Sequence, residues 1–347
     1  MNPDLLKLPS TDPELILRYR DRQYAAELLA VAILHLDLFT LLNENPESYT
    51  NDLCEQFEIK DRPADVLLTL CRASGFISTD EKGRHSNTPL AKEHLVKGSP
   101  WYLGPYYEPI RNTPIVESFL RVLRTGKPAN WQAKDDGDDW HKSMLLEDFA
   151  QSFTELMNCR GLVFGQKLAD ALTPLLGDRN HVLDIGGGSG IYSSTLVAAH
   201  PQLSATVLEQ VPVDAIVRQE VEKHGLSDRV SVVAADMFAD AWPEGSDIVL
   251  LSNVLHDWDV PEVGALLKKA ADYLKPGGML VIHEAFINDA KNGPLPVAEY
   301  SALLMNITQG KCYSHAEYAS MLKELDFEVG AYQDTIANRG FMTAIKK

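Results

Sequence analysis

Apolar residues change their spacing roughly halfway along this chain, and the change predicts two kinds of structure. Over residues 12–42 they recur every three or four positions, which predicts helix. Shorter stretches of the same kind cover 50–58 and 62–74. Residues 75–78 and the segment after the polar turn Asp80-Glu-Lys-Gly-Arg-His-Ser86 read as two short extended pieces. Three helices and a hairpin predict a mostly helical, winged-helix-like module over residues 1–100. Residues 101–176 read as a connecting region, with a helix at 115–124 and a long amphipathic helix at 145–176.

From His181 the pattern shifts to short aliphatic runs alternating with amphipathic stretches. Strands are predicted at 182–185, 205–208, 230–234, 248–251 and 279–282. Helices fall between them, the clearest at 260–274 and 315–325. Both open with capping-box spacing, Asp259-x-x-Glu262 and Ser314-x-x-Glu317. Such alternation predicts an α/β domain over 177–347, a Rossmann-like, doubly wound parallel sheet covered on both faces. Two last extended pieces, 327–332 and 341–345, follow one another without a helix. They predict a terminal antiparallel hairpin and seven strands in all.

Composition narrows the partners. Acidic residues number 49 against 32 basic ones, a net charge of −17, which disfavours a nucleic-acid partner. The winged-helix-like module nonetheless raises a DNA-binding regulator as a rival. Its presumed recognition helix, Asp61-Arg-Pro-Ala-Asp-Val-Leu-Leu-Thr-Leu-Cys-Arg72, argues against that, being largely apolar with two arginines against two aspartates. Cys54, Cys71, Cys159 and Cys312 are scattered, which points to a reducing cytoplasm rather than a disulfide or zinc framework. Residues 1–10 lack the basic and apolar regions of a secretory signal. Glu27, His35 and Asp37 interrupt the longest apolar tract, 25–42, so it reads as a buried helix rather than a membrane span. That tract is hard to bury within a module of this size, which favours a homodimer. The run Asp135-Asp-Gly-Asp-Asp139 could hold a metal ion, but it reads better as a solvated loop, and no metal is expected.

The candidate chemistry gathers at the ends of the predicted strands. Val182-Leu-Asp-Ile-Gly-Gly-Gly-Ser-Gly190 is a strand, a glycine turn and a helix start. Glycines there let backbone amides approach a nucleotide-like ligand, although dinucleotide enzymes and methyltransferases share the device. Asp184 precedes Gly186 and Gly188 at the first strand end. Glu209 ends the second strand, nineteen residues after Gly190, where a carboxylate can take both ribose hydroxyls. Asp236 and Met237 end the third and suit an adenine amino group and ring. The fourth strand ends in Ser252-Asn-Val-Leu-His-Asp-Trp-Asp259.

Taken in order, V-L-D-I-G-G-G-S-G, L-E-Q, A-D-M-F, L-H-D-W and the K-P-G-G turn at 275–278 resemble the small-molecule O-methyltransferases of plant and microbial secondary metabolism. The resemblance runs from about residue 15 to the end, and the helical module is similar to that family's dimerisation domain. It implies S-adenosyl-L-methionine as cofactor and S-adenosyl-L-homocysteine as product. Asp184, Gly186, Gly188, Glu209, Asp236, Met237 and Ser252 would hold the cofactor. His256 matches the catalytic base and Glu284 the acid that orients it. Family members commonly carry a second glutamate in a G-K/R-E-R-T stretch, where this chain has Gly310-Lys-Cys-Tyr-Ser314 and so Cys312. Phe153, Met157, Asn158, Met305, Cys312 and Tyr313 are candidate acceptor contacts, Met157-Asn158 resembling a pair that clamps aromatic acceptors. The expected reaction is methylation of a hydroxyl on a small aromatic metabolite. Alternatives are N- or C-methylation on the same scaffold, a non-catalytic cofactor-binding regulator, and a nicotinamide dehydrogenase, the last disfavoured by Asp184 and by L-H-D-W.

Overall fold

The structure is a computed structural model that describes residues 4–128 and 144–347. The acidic run Asp135–Asp139, and the metal reading attached to it, lie outside the described residues. The chain divides into two compact units, one of Leu15–Asp139 and Ile287–Ser314, the other of Met1–Glu14, Trp140–Phe286 and His315–Lys347.

The first unit is helical. The helix expected over 12–42 is broken into Glu14–Asp21, Ala25–Ala30, a π-helical turn Val31–His35, and Leu38–Glu44. The π turn is closed by Leu36 N–H donating to the Val31 carbonyl at 3.0 Å, and one ring nitrogen of His35 bonds the Arg111 carbonyl at 2.8 Å. Asp37 then adopts a left-handed conformation, φ 51°, which an aspartate tolerates better than most residues. Helices Thr50–Phe57 and Asp61–Ala73 lead to β1 (Ile77–Thr79) and β2 (His85–Asn87), an antiparallel pair. Both arginines of Asp61–Ala73 are engaged within this unit. Arg62 is buried and donates to the carbonyls of Gly310 and Gly126 at 2.8 and 2.7 Å, and Arg72 donates to that of Lys291 at 2.7 Å.

Packed on Asp61–Ala73 is a helix that the apolar spacing did not reveal, Leu295–Ile307. Every residue from Val297 to Asn306 is buried, so it has no polar stripe to give it a period. Its polar side chains are satisfied inside the unit: Glu299 by Arg18 at 2.9 Å, Asn306 by the Ser118 hydroxyl at 3.0 Å, and Ser301 by the Cys312 N–H at 3.0 Å.

The second unit is built on one sheet. Its strands are β3 (His181–Ile185), β4 (Ser204–Glu209), β5 (Val230–Ala234), β6 (Ile248–Ser252), β7 (Met279–Glu284), β8 (Phe327–Val329), β9 (Gln333–Asp334) and β10 (Gly340–Lys346). The order is β5-β4-β3-β6-β7-β10-β8, with β9 paired to β10. The first five are parallel and β10 is antiparallel to β7, β8 and β9. The terminal hairpin is present, but β10 inserts between β7 and β8, and the two-residue β9 brings the count to eight rather than seven. Parallel strands buried on both faces need apolar residues in succession, and β6, Ile-Val-Leu-Leu-Ser, is buried throughout.

The chain runs outward from β3 through β4 to β5 and returns to place β6 on the other side of β3. That reversal opens a crevice at the carboxyl ends of β3 and β6, where ligands bind in sheets of this kind. The long helix Glu147–Leu172 belongs to this unit and packs on Ile191–Ala199, the helix after the glycine loop. Two glycines permit the approach. A Cβ on Gly161 would stand 2.5 Å from Ile191 Cγ2, and one on Gly165 2.4 Å from Thr195 Oγ1. The side-chain amide of Gln166 ties down the N-terminal segment, donating to the Leu5 carbonyl at 2.9 Å.

Candidate active site

At the end of β3 the backbone turns through Gly186, Gly188 and Gly190, all with positive φ (64°, 61° and 73°), a conformation that side-chain-bearing residues resist. Beside Gly188 a Cβ would meet nothing within 4 Å, whereas at Gly187 it would stand 2.7 Å from the Asp184 carboxylate. The loop is therefore open on one side and closed on the other.

Asp184 is wholly buried. Its Oδ2 accepts from the Ser193 hydroxyl at 2.7 Å, while its Oδ1 has no hydrogen-bond partner among the described residues. Burial raises its pKa to about 6 against the opposing pull of Ser193. Glu209, at the end of β4, accepts from Gly188 N–H at 3.0 Å and from Gln210 N–H at 2.8 Å. Burial nevertheless raises it to about 7, assisted by the negative charges of Asp184 and Asp214. Among the described residues neither acid faces a cation that would offset its charge. Beyond β5, Asp236 Oδ1 accepts from Phe238 and Ala239 N–H at 2.7 and 3.1 Å. Met237 lies beside the glycine loop, its sulfur 3.7 Å from where a Gly186 Cβ would be.

Across the crevice, β6 ends in Ser252 and the chain turns through Asn253 (φ 54°) into a 3₁₀ turn, Leu255–Asp257, which carries His256. Glu284 ends the neighbouring β7. Its Oε1 accepts from Val254 and Leu255 N–H at 3.1 and 3.0 Å, and its Oε2 is in ion-pair contact with His256 Nδ1. Both side chains are almost fully buried. Strand alternation sends His283 the other way. One of its ring nitrogens meets the Ser252 hydroxyl at 2.8 Å, and the ring packs edge-on to Tyr192. Burial, together with the charges of Arg339 and Arg160, lowers its pKa to about 3, so it stays neutral. Ser252, expected to meet the cofactor, is thus engaged with His283.

The acceptor candidates divide between the units. On the long helix of the sheet unit, Phe153 stacks on Phe149 at 6.1 Å and is, like Met157, half-buried. Asn158 accepts from the Ser189 hydroxyl at 2.8 Å and donates to Glu220 at 3.3 Å. Met305, Cys312 and Tyr313 belong to the helical unit and are buried there. Beside Cys312, Lys311 is paired with Asp65 at 2.5 Å and lies over the Tyr313 ring. No group of His, Cys, Asp and Glu among the described residues could hold a metal ion.

Sequence reasoning missed Asn253, whose side-chain N–H donates to the Tyr192 hydroxyl at 2.9 Å and whose Oδ1 is buried without a partner among the described residues. The one available signal was an asparagine directly after a strand, since asparagine is among the few residues that enter the left-handed region readily.

A family model, the O-methyltransferase domain, matches residues 125–328. The chain belongs to the O-methyltransferase family. It is 33% identical over 276 residues, 79% of this chain and 78% of the other, to the 3-hydroxy-5-methyl-1-naphthoate 3-O-methyltransferase of Streptomyces sahachiroi. Its fold is similar to that of an O-methyltransferase family 2 protein from Planctomyces limnophilus solved with apigenin, with a TM-score of 0.88, 29% identity and 99% of both chains covered. Human N-acetylserotonin methyltransferase, solved with S-adenosylmethionine, shares the fold at a TM-score of 0.61 and 21% identity, covering 98% of this chain and 99% of that one.

This O-methyltransferase is an S-adenosylmethionine-dependent enzyme, and its strand ends suit that cofactor. The glycine loop leaves room that a Cβ would fill, Glu209 offers a carboxylate to a diol, and Asp184 and Asn253 each keep a buried acceptor atom without a donor among the described residues. A ligand that is a cation with several N–H and O–H donors matches that set.

Proposed function

We propose that this enzyme methylates a phenolic hydroxyl on a small multi-ring aromatic metabolite, with His256 as general base and Glu284 as the residue that positions it. The observation that carries the reading is the contact of His256 Nδ1 with a glutamate that two backbone amides already hold in place. An Nδ1–H donated to Glu284 fixes the tautomer and leaves the Nε2 lone pair to receive a proton. Asp257 Oδ1 stands 3.7 Å from that Nε2. The names of the relatives, a hydroxynaphthoate methyltransferase and a flavone complex, support an aromatic acceptor.

When bound, the cofactor supplies an electrophilic methyl carbon on a cationic sulfur. The enzyme's residues must therefore act on the acceptor. A phenol at pKa ~10 and an imidazole at ~6.5 put full proton transfer roughly 5 kcal/mol uphill. His256 accordingly serves best when it takes the proton as the oxygen attacks. The negative charge of Glu284 offsets the charge the ring then acquires, in a buried site where such terms are large. Gly186, Gly188, Asp184, Glu209, Asp236 and Met237 are proposed to hold the cofactor, and Phe153 and Met157 to meet the acceptor.

We further propose a homodimer acting in the cytoplasm in secondary metabolism, its N-terminal module winged-helix-like. Exposed Ile16, Tyr19, Trp101 and Tyr106 on the helical unit, and four free thiols, support these two assignments of assembly and compartment.

The test is incubation with methyl-labelled S-adenosylmethionine and paired probes, a hydroxynaphthoate and apigenin against their amino-substituted counterparts. Label in base-stable aryl ethers is the expected result. Label only in the amines, or on ring carbon, would overturn the hydroxyl assignment.

A further inference from the structure

We infer that Asn158 is a positioning residue for the cofactor loop rather than an acceptor contact. The inference rests on the reading of the glycine loop as the cofactor site. Its first support is the arrangement of side chains on the helix Glu147–Leu172. Phe149, Phe153 and Met157 recur every four residues and form one stripe, with Phe149 and Phe153 stacked. Asn158 lies off that stripe, because successive helix positions do not face the same way. The four-residue spacing carries on through Gly161 and Gly165, which face Ile191 and Thr195 on the helix that follows the cofactor loop, and Asn158 stands on that later, docked part of the surface, at spacings of three and seven from the two glycines. The side of the helix that carries Asn158 is the side docked on the cofactor machinery.

The second support is what the amide does there. Its Oδ1 accepts from the hydroxyl of Ser189 at 2.8 Å, and Ser189 is a buried member of the glycine loop between Gly188 and Gly190. Its Nδ2 donates to Glu220 at 3.3 Å, on the helix Val213–Lys223 that follows β4. One side chain thus links the loop after β3 to the helix after β4, the two elements whose strand ends carry Gly188 and Glu209. The Gly188 N–H, one residue before Ser189, is the donor that holds Glu209. Fixing Ser189 therefore fixes the loop against the carboxylate that is offered to the ribose. Chain entropy explains the benefit: a loop with four glycines is costly to immobilise, and a tether made before the cofactor arrives removes part of that cost from binding.

The test is calorimetric titration of S-adenosylhomocysteine into wild type, Asn158→Ala, Ser189→Ala and the double variant, with Gln151→Ala, an exposed position on the same helix, as the control. Loss of one such hydrogen bond predicts a three- to tenfold weaker Kd, as an order of magnitude, in each single variant. Because both remove the same bond, the double variant should be no weaker than the worse single one. Gln151→Ala should bind as wild type does. The inference is overturned if Asn158→Ala binds S-adenosylhomocysteine as tightly as wild type, or if the two losses multiply in the double variant. Should Asn158→Ala fail to fold, Ser189→Ala alone still decides, since an unchanged Kd there removes the tether. Failure of wild type itself to bind would instead overturn the cofactor reading, which keeps the two failures apart.

Discussion

Two glutamates each end a strand of the same sheet, Glu209 on β4 and Glu284 on β7, and the enzyme treats them in opposite ways. Glu209 and Glu284 each accept two backbone N–H groups from the loop beside them. Glu284 also has a side-chain partner, His256, and the pair is complete within the chain. Glu209 has no cation beside it among the described residues, and burial drives it up to about 7. The half of the crevice under β3 and β4 is thus a receptor, strained electrostatically until a donor arrives. The half under β6 and β7 is a finished device. Binding energy and catalytic power should consequently separate when the two halves are altered one at a time.

The largest effect is expected at the finished half. His256→Ala should lower kcat by about 10²- to 10⁴-fold, the usual worth of a positioned base, while isothermal titration finds the S-adenosylhomocysteine Kd within about twofold of wild type. Glu284→Ala should cost less activity but more stability. It strands the buried N–H groups of Val254 and Leu255, at about 1–3 kcal/mol each, and a melting curve should show a drop of several degrees. Next comes the receptor half. Glu209→Gln should weaken S-adenosylhomocysteine by about ten- to a hundredfold, since the lost bonds are to a charged group, with kcat at saturating cofactor much less affected.

The pH dependence sharpens the contrast. A diol donates best to an ionised carboxylate, so wild-type cofactor affinity should fall as pH drops through about 7, approaching tenfold per unit below it. Glu209→Gln should be flat over that range. For the cofactor-free protein the sign is reversed. An acid raised from 4.5 to about 7 by folding binds its proton more tightly in the native state. Its contribution to stability is full below the unfolded pKa and is lost as pH rises through about 7. Asp184, raised to about 6, acts in the same sense slightly lower. The melting temperature without cofactor should therefore rise from pH 8 to pH 6, and by less in Glu209→Gln. The smallest expected effect lies away from both halves. Gly161→Ala must displace Ile191, costing about 1–3 kcal/mol of stability with cofactor affinity reduced only through the shifted helix.

The sequence made one half of this picture more readable than the other. The parallel strands were visible because burial on both faces leaves unbroken aliphatic runs such as Ile248–Ser252. The glycine loop and Leu-His-Asp-Trp were visible because each packs its chemistry into a few consecutive residues. Helix Leu295–Ile307 was hidden for the reason it is stable, burial on every side, which removes the polar stripe that marks a helix. The break of the first helix at Asp37 is set by bonds to distant residues, such as that of His35 to Arg111, and no local rule encodes them. The same holds for the insertion of β10 between β7 and β8, and for the contacts that join Ser252 to His283 and Asn253 to Tyr192. These depend on which strands become neighbours, a property of topology rather than of spacing.

The most direct test of the central claim, that His256 removes the acceptor's proton, is the wild-type to His256→Ala ratio of kcat/KM measured across phenols of falling pKa. With naphthols that are neutral at the assay pH the ratio should be about 10²–10⁴. With nitro-substituted phenols already ionised there it should shrink towards one, because no proton remains to be taken. A ratio that stays the same across the series would contradict the account and leave His256 with a structural role alone.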